Sequence, residues 1–218
     1  IRDSGIARES LFVTTKVWND KLNAQDFLPS VKESLEKLQM DYVDLLLIHW
    51  PTPANGDDME IYLAELKKCQ DIGLCKHIGV SNFTIAQLEK AQSILKDQVL
   101  YTNQVEVHPY LQNRELRRYC DSQNIHVTGY MPFAVGKVLK DPAVVKVAAQ
   151  QECSVAEVVI AWSLAKGMST IPSSTKRANL QSNLKGLDIR LRAEQIAMID
   201  ELDRGDRQAA PDFSPEWD

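Results

Sequence analysis

Short runs of β-branched and apolar residues alternate along this chain with longer segments whose apolar residues recur every third or fourth position, and no other feature limits the fold as much. This is the rhythm of strand–helix units, in which each helix packs back onto a parallel sheet. Candidate strands cover residues 11–17, 43–48, 76–80, 100–107, 125–130 and 168–171. Several are apolar almost without a break, as expected of parallel strands covered on both faces. The intervening helices carry their own signals. Pro29 sits near the first turn of one that presents Val31, Leu35 and Leu38 on a single face. A second carries Met59, Tyr62, Leu66 and Cys69 at helical spacing and stops at Gly73. Thr84 with Gln87, and Ser154 with Glu157, have the spacing of a capping box, in which each partner satisfies a backbone N–H of the other. Leu116, Tyr119 and Cys120 place a helix after Asn113, and further helices are expected over 176–184 and 193–202.

Two α/β architectures use this rhythm, an open doubly wound sheet and a closed barrel. The first should carry G-x-G-x-x-G after its opening strand, and none occurs in these residues. Six strands in 218 residues, against about 250 for a typical eight-stranded barrel, point instead to a (β/α)8 TIM barrel lacking about its first two strands. The start agrees with this: Ile1 is not an initiator Met, and Ile1-Arg2-Asp3-Ser4-Gly5 reads as the last turn of a helix ending at a left-handed Gly. With no internal repeat, low-complexity tract or linker, residues 1–218 are expected to form one N-terminally incomplete domain. With 44% hydrophobic residues the chain can bury a large core, and its net charge of -5, with Lys and Arg scattered, argues against nucleic-acid or membrane-surface partners. No apolar run approaches the roughly 18–20 residues that span a bilayer. Four cysteines without a C-x-x-C pair fit a reducing compartment, so the cytoplasm is expected, and a monomer is expected as well.

In a barrel, catalytic side chains gather at the C-terminal ends of strands. That rule selects Lys16, Trp18, His49, Trp50, Ser81, Asn82, Gln104, Glu106 and Tyr130. A lysine in so apolar a run is costly to bury unpaired, so Lys16 is either a strand-end residue reaching water or a functional cation. His49 closes an apolar strand just before Pro51, and a lone histidine there is more often structural than catalytic. Two such residues at the ends of consecutive strands shift the balance, because those ends lie side by side.

Thr14-Thr15-Lys16-Val17-Trp18, Asp41-Tyr42-Val43-Asp44-Leu45 leading to Ile48-His49-Trp50-Pro51, Ile78-Gly79-Val80-Ser81-Asn82-Phe83, Asn103-Gln104-Val105-Glu106 and Ile171-Pro172-Ser173-Ser174-Thr175 together resemble, in order and spacing, the signatures of the aldo-keto reductases. The resemblance runs from about Gly5 to Asp203. Within that family, Ser173 through Arg177 and the tail Pro215-Glu216-Trp217-Asp218 look most like the bacterial 2,5-diketogluconate reductases. The resemblance implies NADPH-dependent reduction of a small aldehyde, ketoaldehyde or keto-sugar acid, with a catalytic Asp, Tyr, Lys and His. Lys16 and His49 match the Lys and His, while the Asp and Tyr fall before Ile1. A phenol with a pKa of about 10 is a poor acid at neutral pH, and a neighbouring ammonium stabilises the phenolate it leaves. That role falls to Lys16, with His49 orienting the carbonyl.

The resemblance also assigns Ser81, Asn82 and Gln104 to the nicotinamide carboxamide and Tyr130 to stacking on the ring. Met131 departs from the family's usual Ser. Ser173, Ser174, Thr175, Lys176, Arg177, Asn179 and Asn183 match its site for the adenosine phosphate. Many relatives have Lys in place of Ser173, Arg in place of Asn179 and Glu in place of Ser182, so Lys176 and Arg177 are the cations left to favour NADP over NAD. Trp18, Trp50 and Trp217 are expected to line the substrate pocket. His108 reads as structural, and Cys75 with His77 is too sparse for a metal site, so no metal is assigned. Two other classes stay open: a Schiff-base lyase using Lys16, and a nucleotide-binding member of the family without catalysis.

Overall fold

The computed structural model describes residues 2–52, 58–96 and 98–218. The chain divides into two compact units, one formed by Ile1–Asn103 with Phe213–Asp218 and the other by Gln104–Asp212.

The first unit holds three parallel strands, β1 (Thr14–Val17), β2 (Val43–Ile48) and β3 (Cys75–Ser81), hydrogen-bonded in chain order. Their helices are α1 (Phe27–Leu38), α2 (Met59–Asp71) and α3 (Ile85–Leu95). Every residue of β2 is buried, five of them apolar and the sixth, Asp44, paired with Arg8 and Lys76. The Tyr101 N–H donates to the Ile78 carbonyl at 2.8 Å and lays the start of β4 (Thr102–Glu106) along β3. Gly79 makes that approach possible, since a Cβ there would stand 2.7 Å from the Thr102 carbonyl oxygen and 2.8 Å from Leu47 Cδ2.

Two expectations are corrected here. Strand β1 begins at Thr14 rather than at residue 11, because side chains take the backbone groups before it: the Val13 N–H donates to Asp44 at 2.9 Å, and Arg8 donates to the Leu11 carbonyl at 3.0 Å. Phe12 is 54% exposed and stacks on Tyr101. Leu38 is exposed as well. The buried face of α1 is Phe27, Val31 and Leu35, spaced by four, and Leu38 falls at the helix's last position before Gln39 turns left-handed at φ 56°. The expected face of α2 is buried, joined by Leu63, and the chain leaves that helix through Gly73 at φ 82°. Both halves of the Thr84–Gln87 capping box are present. Near the start of the chain, a 3-10 turn over Arg2–Ser4 leads into Gly5 at φ 68°.

The second unit continues from Gln104 in β4 to β5 (His126–Tyr130) and β6 (Ser169–Ile171), again in chain order. Strands β5 and β6 run parallel with Tyr130 opposite Ile171. Its helices are α4 (Arg114–Ser122), α5 (Pro142–Gln150), α6 (Val155–Ala165), α7 (Arg177–Lys185) and α8 (Ala193–Asp200). Helix α5 was not anticipated, although its signal is in the chain: Asp141 accepts from the Ala143 and Val144 N–H groups, and Pro142 occupies the first helical position. Helix α6 starts at the expected Ser154–Glu157 box and buries every residue from Glu157 to Ser163. Helix α7 buries none. Among the described residues, no helix is long and apolar enough to cross a membrane.

Candidate active site

The register of β1 and β2 sets Lys16 opposite Leu47, and the His49 N–H continues the ladder by donating to the Val17 carbonyl at 3.0 Å. The two expected catalytic residues are thereby brought together at one end of neighbouring strands. Lys16 is half-buried, and among the described residues its side chain makes no hydrogen bond or ion pair. Burial lowers its pKa, because the ammonium loses water without gaining a carboxylate. Burial also depresses the His49 imidazole, and the Lys16 charge adds to the effect, holding it at about 4. His49 is therefore neutral at pH 7, beside a cation.

Ser81 ends β3 and Asn82 follows it, both buried. Asn82 adopts the left-handed conformation at φ 64°, which aims its amide at the neighbouring strand end. The amide donates to the His49 carbonyl at 3.0 Å and to the Ser81 hydroxyl at 3.1 Å. Asn103, which sequence reasoning left without a role, pairs with the backbone of Phe83 in both directions, its amide donating to the carbonyl at 2.9 Å and its oxygen accepting from the N–H at 3.4 Å. It extends the sheet past the last strand residue and fixes the turn after Asn82.

An aromatic group flanks these residues. Trp18 meets the His49 ring edge to face, with centroids 4.7 Å apart at 87°. Phe213 meets Trp18 at 6.1 Å and Trp50 at 5.7 Å, and Trp50 meets Trp217 at 6.1 Å. The three expected tryptophans are thus joined, and the residue that links them is Phe213, which was not singled out from the sequence. Its signal is weak, one aromatic beside Trp217 in a Pro- and Asp-rich tail. Trp18 is 46% exposed whereas Trp50 is buried, so Trp18 offers the accessible ring. Asp218 anchors the tail by accepting the Ile85 N–H at 3.0 Å, at the start of α3.

In the second unit, Gln104 and Glu106 lie buried on β4. The Glu106 carboxylate accepts from the Gln208 and Ala209 N–H groups at 2.8 and 2.7 Å, and the His108 ring stands 2.7 Å away. Burial would raise the Glu106 pKa, but those bonds outweigh it and lower it. His108 is fully buried in this arrangement. Tyr130 ends β5 half-buried, and burial followed by the Glu106 charge pushes its hydroxyl pKa upward, so it stays a neutral phenol. Met131 follows at φ 52° and is 36% exposed.

Beyond β6, the Ser174 hydroxyl accepts from the Lys176 N–H at 3.1 Å, and Lys176 occupies the N-cap of α7 without a side-chain cap bond. Ser173, Thr175, Lys176, Arg177 and Asn179 are exposed, while Asn183 is half-buried. Ser182 faces elsewhere, donating to Glu157 at 2.7 Å and standing 3.0 Å from the Ser154 hydroxyl. It ties α7 to the capping box of α6. No group of three or more His, Cys, Asp or Glu that could hold a metal ion occurs among the described residues.

Residues 1–204 match the model of the aldo/keto reductase family. Methylglyoxal reductase DkgB of Escherichia coli O157:H7 is 45% identical over 219 aligned positions, covering 100% of this chain and 82% of that protein. Glyoxal reductase of Bacillus subtilis (strain 168) is 39% identical over 209 positions, covering 95% of this chain and 74% of its own. Among solved structures, a candidate 2,5-diketo-D-gluconic acid reductase B superposes with a TM-score of 0.95 at 35% identity, covering 100% of this chain and 77% of that one.

Proposed function

This chain belongs to the aldo/keto reductase family, and on that premise we propose that it reduces a small aldehyde, ketoaldehyde or keto-sugar acid to the alcohol with NADPH. Family membership makes it an oxidoreductase acting on carbonyl groups. The finer reading rests on one observation above all: Lys16, half-buried and without a counter-ion among the described residues, stands at the strand end next to a neutral His49. An unpaired cation in a poorly hydrated place is poised for a negative charge that develops only during reaction.

NADPH supplies the hydride when bound. The proton comes from a Tyr carried on chain preceding Ile1, and Lys16 stabilises the phenolate left behind. His49, neutral above about pH 4, orients the carbonyl oxygen through a hydrogen bond without adding charge. Trp18, Phe213, Trp50 and Trp217 offer the substrate an apolar wall. For the nicotinamide end of the cofactor, the first unit offers the polar groups of Ser81 and Asn82, and the second offers the Gln104 amide and the Tyr130 ring. The phosphate end has residues that fit it, because α7 opens without a side-chain cap and with two exposed cations, Lys176 and Arg177, on its first turn. The fold that accompanies this reading is a single (β/α)8 domain, to which the preceding segment contributes further strands.

The test is NADPH oxidation with methylglyoxal, comparing the protein carrying its preceding segment with Ile1–Asp218 alone. Turnover in the longer protein and a loss of about 10²-fold or more in the shorter supports the reading. Equal turnover would place the proton donor within these residues. A second reading draws on the same lysine: a lowered pKa with no counter-ion also suits a Schiff-base nucleophile. Borohydride with substrate traps an adduct on Lys16 in that case alone.

A further inference from the structure

The second unit contains a cavity of about 610 Å³ between α4, the turn at Lys166–Met168 and the start of β5. It is set apart from Tyr130, which the cofactor reading uses. His126 lines it at one end of β5, and Tyr130 closes the other end, about 13 Å away along an extended strand. The charged side chains on its wall are Arg114, Arg117, Arg118, Lys166 and Asp121, four cations to one carboxylate.

Three of the cations are already engaged. Arg114 pairs with Asp203 at 3.0 Å, Lys166 with Asp200 at 2.7 Å, and Arg118 with Glu115. Arg117 differs. It is half-buried, makes no ion pair among the described residues, and donates only to the Lys166 carbonyl oxygen at 3.3 Å. Burial, with Arg114 adding to it, lowers the Arg117 pKa, and Asp200 and Asp203, each held by another cation, oppose this from beyond pairing distance without reversing it. A guanidinium has five N–H donors in a planar fork, so most of this one's donors lack a protein acceptor. The lining also has an apolar part, formed by the buried Ile125, Val127 and Met168. The volume exceeds what a bare inorganic ion needs and falls within the range of small-molecule sites.

We propose that this cavity binds a small organic phosphate, its phosphate group gripped by the Arg117 fork and its carbon skeleton lying against Ile125, Val127 and Met168. The phosphate's charge is met chiefly by Arg117, with Arg114 close enough to add to it, while the charge of Lys166 is taken up by Asp200. The site is independent of the reductase reading, since it uses none of the residues assigned to that chemistry.

Isothermal titration with glucose 6-phosphate, at ionic strength matched with chloride, tests this. One-to-one binding is expected, weakened at least tenfold by Arg117→Gln and by less in Arg117→Lys, which keeps the charge and loses the fork, with unchanged circular dichroism. The pair Lys176→Ala and Arg177→Ala should leave it intact. Should Arg117→Gln fail to fold, Met168→Trp fills the cavity from its apolar side and should abolish binding. The proposal is overturned if no binding is detected, if Arg117→Gln or Met168→Trp binds as the parent does, or if the loss follows Lys176 and Arg177, which would put the phosphate at α7.

Discussion

Replacing Asp44 with asparagine probes how the site's register is held. Asp44 is buried, with only 5% of its side chain exposed, and accepts from the Val13 N–H at 2.9 Å, from Arg8 at 2.7 Å and from Lys76 at 2.9 Å. Arg8 and Lys76 also lie over the Tyr42 ring, at 4.4 and 4.7 Å. Burial alone would raise the carboxyl pKa, but the Val13, Lys76 and Arg8 bonds outweigh it and hold it at about 2 instead of 3.8. A carboxyl so depressed contributes about 2 kcal/mol at neutral pH, and the half-exposed Lys76 trims rather than removes that figure. The sign is fixed: the contribution is fully present above pH 3.8 and is lost as pH falls towards 2, so about half remains at pH 3. An asparagine in this place cannot ionise and presents a donor to two cations. Urea unfolding should therefore show Asp44→Asn less stable by about 2 kcal/mol at pH 7 and by about 1 kcal/mol at pH 3. A difference that does not change with pH, or one under about 0.5 kcal/mol at pH 7, would refute the argument that the ionised carboxylate, rather than its shape, pins Val13 and so sets Lys16 beside Leu47.

Other outcomes follow from the same geometry. In the protein carrying its preceding segment, Lys16→Met should lower turnover by about 10²-fold or more while changing NADPH affinity little, because the charge acts on the transition state; a collapse of binding with unchanged single-turnover chemistry would make Lys16 a cofactor contact. Lys176→Ala with Arg177→Ala should weaken NADPH binding about tenfold or more and leave NADH nearly unaffected, read by fluorescence quenching; equal losses would mean that the pair shapes the loop. Gly79→Ala should cost about 2–3 kcal/mol in urea unfolding, since the new Cβ meets the Thr102 backbone at 2.7 Å and backbone cannot rotate away; a cost under about 0.5 kcal/mol would show that β3 and the start of β4 can separate.

The parts of this fold that were legible in the sequence are those where local chemistry and tertiary packing agree. Strand β2 was bounded residue for residue because six consecutive apolar or buried positions have no other use. The Thr84 and Ser154 capping boxes were readable because both partners lie within one helical turn. The nearness of Lys16 and His49 followed from strand order alone. The start of β1 was misplaced because Asp44, distant in sequence, takes the Val13 N–H, and nothing near Val13 announces it. Leu38 has the right spacing for the buried face of α1 but lies at its end, where the chain turns off. Helix α5 carried a legible Asp141-Pro142 start that went unused. Phe213 could not be found from the sequence, since its importance lies in touching Trp18 and Trp50, which are far from it in the chain.

Asn82 shows how little freedom a strand end of this kind leaves to mutation. The backbone there is left-handed, which Gly, Asn and Asp accept at low strain, and the side chain must donate an amide to the His49 carbonyl, which among short side chains Asn alone can do. Glycine would keep the turn and release His49; glutamine would keep an amide and strain the turn; aspartate would keep the turn and set a carboxylate against a carbonyl. The residues satisfying each demand intersect in one amino acid, so a library randomised at position 82 and selected for both folding and activity should return asparagine almost alone, without the residue having to touch a reacting atom.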